Sequence, residues 1–164
     1  MLAPHLSQFV SCRLGKAGRA AGRFEVVMDN PFLNFPGYLL RRAASARLAQ
    51  LAQYLEPLGV GVSEASILVL IGHNPGISQA ECGRMLSIQR PNLNPVIHRF
   101  INRGLLVTTK GVGRVQCLRL SEEGSALVAQ IEAVFAAQEE RIYAAVPEHL
   151  RDDLVPVLRA LWCP

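Results

Sequence analysis

Apolar residues along this chain keep the three- and four-residue spacing of one-sided helices over most of its length, broken only by a pair of short β-prone runs on either side of residue 112. From Gly37 to Glu56, Leu40, Ala44, Leu48, Leu51 and Leu55 hold helical register until Pro57-Leu58-Gly59 stops it. Ser63 is placed to cap a second helix that buries Ile67, Leu68, Leu70 and Ile71. Gly72-His73-Asn74-Pro75-Gly76 then reads as a turn, with His73 a loop residue. Ser78 and Glu81 have the spacing of a capping box, which starts a short helix with Cys82, Met85 and Leu86 on its apolar face. After the turn Ser87-Ile88-Gln89, residues Arg90 to Arg103 form another helix whose stripe is Leu93, Val96, Ile97, Phe100 and Ile101. Gly104 suits the left-handed position that ends it. Leu105–Thr109 and Val115–Leu120 are the β-prone runs, joined by Lys110-Gly111-Val112-Gly113-Arg114. Ser121 caps a long helix reaching about Val146, with a seam of Leu127, Ile131, Val134, Phe135, Ile142 and Val146. Pro147 ends it and opens a last helix expected to bury Leu150, Leu154, Val157, Leu158, Leu161 and Trp162.

The polar side of the Arg90–Arg103 helix carries Asn94, Pro95, His98, Arg99 and Asn102. Amides, imidazole and guanidinium are the groups that hydrogen-bond base edges in a major groove wide enough to admit a helix. Pro91 suits the first turn, but Pro95 removes an amide bond to the Pro91 carbonyl and is expected to bend the helix or delay its regular start. Asn94, His98 and Arg99 are the candidate base readers, Pro95 shares their face, and Arg90 and Asn92 are placed for backbone or base contact. The hairpin tip brings Lys110 and Arg114 outward, so that a basic wing follows the reading helix. Charge supports this arrangement. Between Glu81 and Glu122 lie seven cations, Arg84, Arg90, Arg99, Arg103, Lys110, Arg114 and Arg119, and no acidic residue, whereas the whole chain is only +4. A phosphate backbone attracts such a stretch.

Taken in order, Ile77-Ser78-Gln79-Ala80-Glu81, Arg103-Gly104-Leu105-Leu106 and Leu120-Ser121-Glu122-Glu123-Gly124 resemble the MarR type of winged helix-turn-helix transcription factor, from about Phe35 to Trp162. Two departures stand out: the wing is about two residues short and lacks the usual Asp-x-Arg tip while keeping Arg114, and Pro95 stands where a polar or basic residue is common. The resemblance implies a mainly α chain with a small β-hairpin wing, a winged helix-turn-helix with N- and C-terminal dimerisation helices. Residues 36–58 and 121–163 would form the dimer layer and 63–120 the DNA-reading part. The implied function is a homodimeric, sequence-specific DNA-binding regulator, most often a repressor, modulated by a small ligand. Its partner would be double-stranded DNA carrying an inverted repeat. Three helices with more apolar stripe than one small winged domain covers also favour a second copy, as does the acidic 122–164 region, with eight anions against three cations.

Composition narrows the alternatives. With 164 residues and 50% apolar content the chain is long enough for one core. Cys12, Cys82, Cys117 and Cys163 lack paired spacing and read as reduced thiols, with no metal site expected. No apolar run approaches the ~20 residues of a membrane span, and the cations at positions 13, 16, 19 and 23 break any signal-peptide pattern, so a cytoplasmic protein is expected. Residues 1–34 read as a flexible basic arm, or as an extension ahead of a true start at Met28. No carboxylate pair, phosphate loop or partnered nucleophile suggests an enzyme, and no cofactor is implied. The competing readings are a thiol-based redox regulator of the same fold, using Cys12, Cys82 or Cys117, and a winged-helix module for protein–protein contact.

Overall fold

The computed structural model describes residues 30–110 and 116–162. The proposed N-terminal arm up to residue 29 and the wing tip with Arg114 lie outside the described residues. After a 3-10 turn at Pro31–Asn34 come α1 (Pro36–Leu55), α2 (Val62–His73), β1 (Ile77–Ser78), α3 (Gln79–Met85), α4 (Arg90–Asn102), β2 (Leu106–Lys110), β3 (Gln116–Leu120), α5 (Glu122–Ala145) and α6 (Arg151–Trp162). The mainly helical reading holds, with one element added: β1 pairs antiparallel with β3, Ile77 opposite Leu118, giving a three-stranded sheet in the order β1-β3-β2. In the hairpin itself Leu106 faces Leu120 and Thr109 faces Cys117.

The core is centred on α2, whose Ile67, Leu68 and Ile71 meet Leu55, Cys82, Leu93, Ile97, Phe100, Leu106, Leu118, Val128 and Ile131 from the surrounding elements. All of these are essentially sealed from solvent except Val128, which is 6% exposed. The helix α2 is apolar nearly all round, as a helix enclosed by others must be. Its start differs from the expectation: Gly61, not Ser63, is the N-cap, and Glu64 reaches back to accept from the Gly61 amide at 2.8 Å. A side-chain carboxylate thus satisfies an amide that Ser63, already inside the first turn, is misplaced to reach. Its end differs too. The helix continues through Gly72 to His73, which is no loop residue: its Nε2 lies 2.7 Å from Glu132 Oε1 on α5. Met85, expected on the apolar face of α3, is 59% exposed because α3 buries Cys82 and Gly83 instead.

One junction ties the hairpin to the helices on both sides of it. Gly104 takes φ +72°, ending α4 in the left-handed region that favours glycine. At that point the Ser121 amide donates to the Leu105 carbonyl (3.0 Å), and the Ser121 hydroxyl donates to the Gly104 carbonyl (2.6 Å) while accepting from the Gly124 amide (2.9 Å). Ser121 therefore caps α5 and clasps the foot of β2 with one side chain. Gly124 is buried against this contact: a Cβ there would stand 2.1 Å from the Leu105 carbonyl oxygen.

The outer helices depart furthest from expectation. Leu150, Val157, Leu158, Leu161 and Trp162 are not buried but 46, 54, 43, 65 and 78% exposed, and α6 has no buried residue. Leu40 and Leu48 on α1 are likewise exposed. Their stripes are apolar, as the spacing indicated, but among the described residues nothing covers them. Where α1 does meet α5, Gln138 is buried and donates from Nε2 to the Arg47 carbonyl at 2.9 Å, and the Arg141 guanidinium lies 4.4 Å from the Tyr54 ring centre.

Gly124→Ala is expected to destabilise the chain by about 3 kcal/mol, the upper end of what overpacking costs, because the obstacle is backbone. Gly37→Ala, with open space around it, should be neutral or stabilising. Urea denaturation of the two variants checks the contrast.

Candidate nucleic-acid interface

The helix α4 starts at Arg90, with Gln89 as its N-cap and Pro91 in the first turn, and is continuous to Asn102. Pro95 has not delayed it. Leu93, Ile97 and Phe100 are buried, with Val96 and Ile101 half-buried beside them, so the stripe read from the sequence is the side that faces the core. At 100° per residue the line opposite is Pro91, Pro95, His98 and Asn102, and all four are exposed. Arg90 and Asn92 are exposed at the helix start. Asn92 sits within the first turn and is not the cap; the N-cap position is held by Gln89, whose side chain makes no capping hydrogen bond.

Two of the proposed readers stand differently. Asn94 is half-buried, and its Oδ1 is sealed from solvent without a hydrogen-bond partner. A bidentate contact to adenine needs that oxygen free, and this conformation does not offer it. Arg99 is paired inside the molecule: its guanidinium donates to Glu64 Oε1 on α2. A turn later, Arg103 donates to the Gly59 carbonyl at 3.0 Å. Two of the seven cations thus tie the C-terminal end of α4 to α2 and to the turn before it. Glu64, which the sequence reading passed over, serves both Arg99 and the Gly61 amide. Its Gly-x-x-Glu spacing was the available signal, although a partner 35 residues away leaves no local trace.

The remaining cations are less committed. Arg90 borders a cleft of about 460 Å³ between α3, α4 and β3, which Gln79 and Gln116 also line. Arg84 and Arg119 are exposed on α3 and β3. Lys110, expected in the loop that joins the two runs, is instead the last residue of β2, paired with Gln116, while Arg114 lies outside the described residues. The acidic residue nearest to this surface in sequence is occupied. Glu81 Oε2 accepts from the Ser78 hydroxyl (2.7 Å) and the Ser78 amide (3.0 Å). These bonds, hydroxyl first, and then Arg84 hold its carboxyl below the usual range. Cys82 is buried, and burial pushes its thiol up, the opposite of what a sensing thiolate requires. Cys117 is half-buried on β3; Cys12 and Cys163 lie outside the described residues.

This geometry has relatives. A family profile described as "MarR family" matches residues 58–114. The HTH-type transcriptional repressor Rv2887 of Mycobacterium tuberculosis is 31% identical over 110 residues, covering 66% of this chain and 79% of that protein. The chain belongs to the MarR family. Among MarR structures, the transcriptional repressor CouR bound to a 23-mer DNA duplex superposes with TM-score 0.71 at 29% identity, covering 77% of this chain and 91% of that one. Rv2887 in complex with DNA gives TM-score 0.64 at 26% identity, over 81% and 98% of the two chains. As a MarR protein the chain is a winged helix-turn-helix transcriptional regulator, and its relatives are regulators rather than enzymes. Among the described residues no single helix is long and apolar enough to cross a membrane.

Glu64→Ala is expected to cost about 1 kcal/mol more stability than Arg99→Ala. Both break a pair that, on a half-exposed guanidinium, contributes only about 0–1 kcal/mol, but the first also uncaps α2. Denaturant melts of the two variants measure the difference, and equal losses would remove Glu64 from its capping role.

Proposed function

We propose that the chain is a homodimeric MarR repressor that holds an inverted-repeat operator through two α4 helices and two β2–β3 wings, and that a small organic effector modulates this hold. The observation that carries it is the exposed outer line of α4 in a stretch with seven cations and no acid between Glu81 and Glu122. CouR and Rv2887, which share the fold, are DNA-bound in their own structures. In this reading His98 meets base edges, Pro95 lies in the groove beside it, and Arg90 and Asn92 contact the backbone where the helix enters. Lys110 and Arg114 grip the backbone through the wing. Asn94 and Arg99 join them only after leaving the positions described above. Phosphate contacts supply affinity and register, and the outer face of α4 supplies choice.

Pairing rests on the uncovered stripes. Phe35 and Leu40 at the start of α1 and Leu161 and Trp162 at the end of α6 are 59, 44, 65 and 78% exposed, more apolar surface in two helices than scattered exposure accounts for. A second copy covering them makes 36–58 and 121–163 the dimer layer and 63–120 the reading part. The two α4 helices then address half-sites about 34 Å apart. For the effector, Rv2887 has been solved with salicylic acid and CouR with p-coumaroyl-CoA, so an aromatic acid or its thioester is the class to try first. The protein works in the cytoplasm, where its DNA is.

Gel-shift titrations across a salt series test the reading. Lys110→Ala and Arg114→Ala should each weaken binding to every duplex and lower the salt slope by about one unit, whereas His98→Ala should alter preference among sequences. Identical losses on random and selected duplex for all three would refute these roles. Binding that does not respond to salt would favour a protein partner instead. Sedimentation should give a dimer at micromolar concentration, and Leu158→Glu, placed on the exposed face of α6, should shift it to monomer.

A further inference from the structure

The outer line of α4 is divided by chemistry. Its first half, Pro91 and Pro95, presents two pyrrolidine rings, and its second half, His98 and Asn102, presents polar groups. The rings stand one turn apart, both exposed, directly opposite Leu93, Ile97 and Phe100. They neither donate nor accept hydrogen bonds, so they cannot read the donor and acceptor pattern of a base edge. In the major groove the one apolar group that a natural base pair displays is the C5-methyl of thymine. A proline ring meets it without loss of side-chain freedom, since φ is already fixed and no rotamer is frozen.

We propose that Pro91 and Pro95 select operator sequence by packing against thymine methyl groups, Pro95 being the principal contact. The inference rests on the reading of α4 as the DNA-recognition helix and assigns a mechanism to its least polar residues. It also accounts for the tolerance of Pro95 inside the helix. The missing N–H leaves the Pro91 carbonyl without its helical partner, on a face where solvent or an exocyclic amino group of a neighbouring base can supply one. Flanking Arg90 and the cationic stretch bring the backbone to this ridge, so the methyl contacts add discrimination to a complex already held by charge.

The test starts from duplexes selected from a random pool by the full-length protein. Each thymine in turn is replaced by deoxyuridine, which removes only the methyl, and affinity is measured at one salt concentration. At one or two positions per half-site the loss should be about fourfold, the change that one buried methyl group corresponds to. Pro95→Ser, which exchanges proline for a better helix former and so keeps the fold but puts a hydroxyl where the ring stood, should shrink that ratio toward one at its position while leaving the salt slope unchanged. Pro91→Ser should do the same one position away. Uracil substitution that is silent at every position, or sensitivity that both variants retain, overturns the proposal while leaving α4 as the recognition helix. Failure to enrich any duplex over random DNA would overturn both.

Discussion

The clasp at Ser121 is the constraint on which the arrangement depends. A winged reading head has to keep its helix and its ribbon at a fixed angle, yet a two-stranded hairpin is marginal by itself. Here the strands are closed at the base by Ser121, which engages the Gly104 and Leu105 carbonyls and the Gly124 amide at once. The exit from α4, the foot of β2 and the first turn of α5 therefore move together. The two sequence motifs on either side of the hairpin, Arg103-Gly104-Leu105-Leu106 and Leu120-Ser121-Glu122-Glu123-Gly124, are halves of that one contact. Gly124 is required there because Leu105 backbone occupies the space of a side chain.

Electrostatics on the reading face is more economical than the cation count implies. Arg99 and Arg103 brace α4 against Glu64 and the Gly59 carbonyl, so two of the seven cations between Glu81 and Glu122 are engaged within the chain. The same contacts link α4 to α2, the most enclosed helix of the core, and to the turn that precedes it. Positive charge in this stretch thus includes side chains that hold α4 in place, and a count of charges does not single them out.

Much of this was legible in the sequence, where the signal is periodic or a local motif. Leu93, Ile97 and Phe100 mark the buried side of α4, Ser78 and Glu81 mark the start of α3, and Gly104 marks the end of α4. Contacts between distant residues were not legible. Glu64 pairs with Arg99 across 35 positions, and Ile77–Ser78 becomes a strand only because β3 lies alongside it. Ser63 looked like a cap because serine often is one, but Glu64 serves Gly61 instead. Gly72 looked like a stop, yet it lies close to the Leu120 and Val128 side chains, and packing carries α2 one residue beyond it. A stripe shows which side of a helix is apolar and not what covers it, which is why the α6 residues were expected inside and are found outside.

The bare side of α6 bears on how such a regulator would behave in a mixed population. If its stripe is the seam between copies, assembly is indifferent to the state of α4, some fifty residues earlier in the chain. A copy blind to the operator would still marry an intact one, and the hybrid would have a single working hand. Lesions in the reading helix would then be dominant over the normal allele, whereas lesions in α6 would be recessive, since a chain that cannot pair cannot spoil its neighbours.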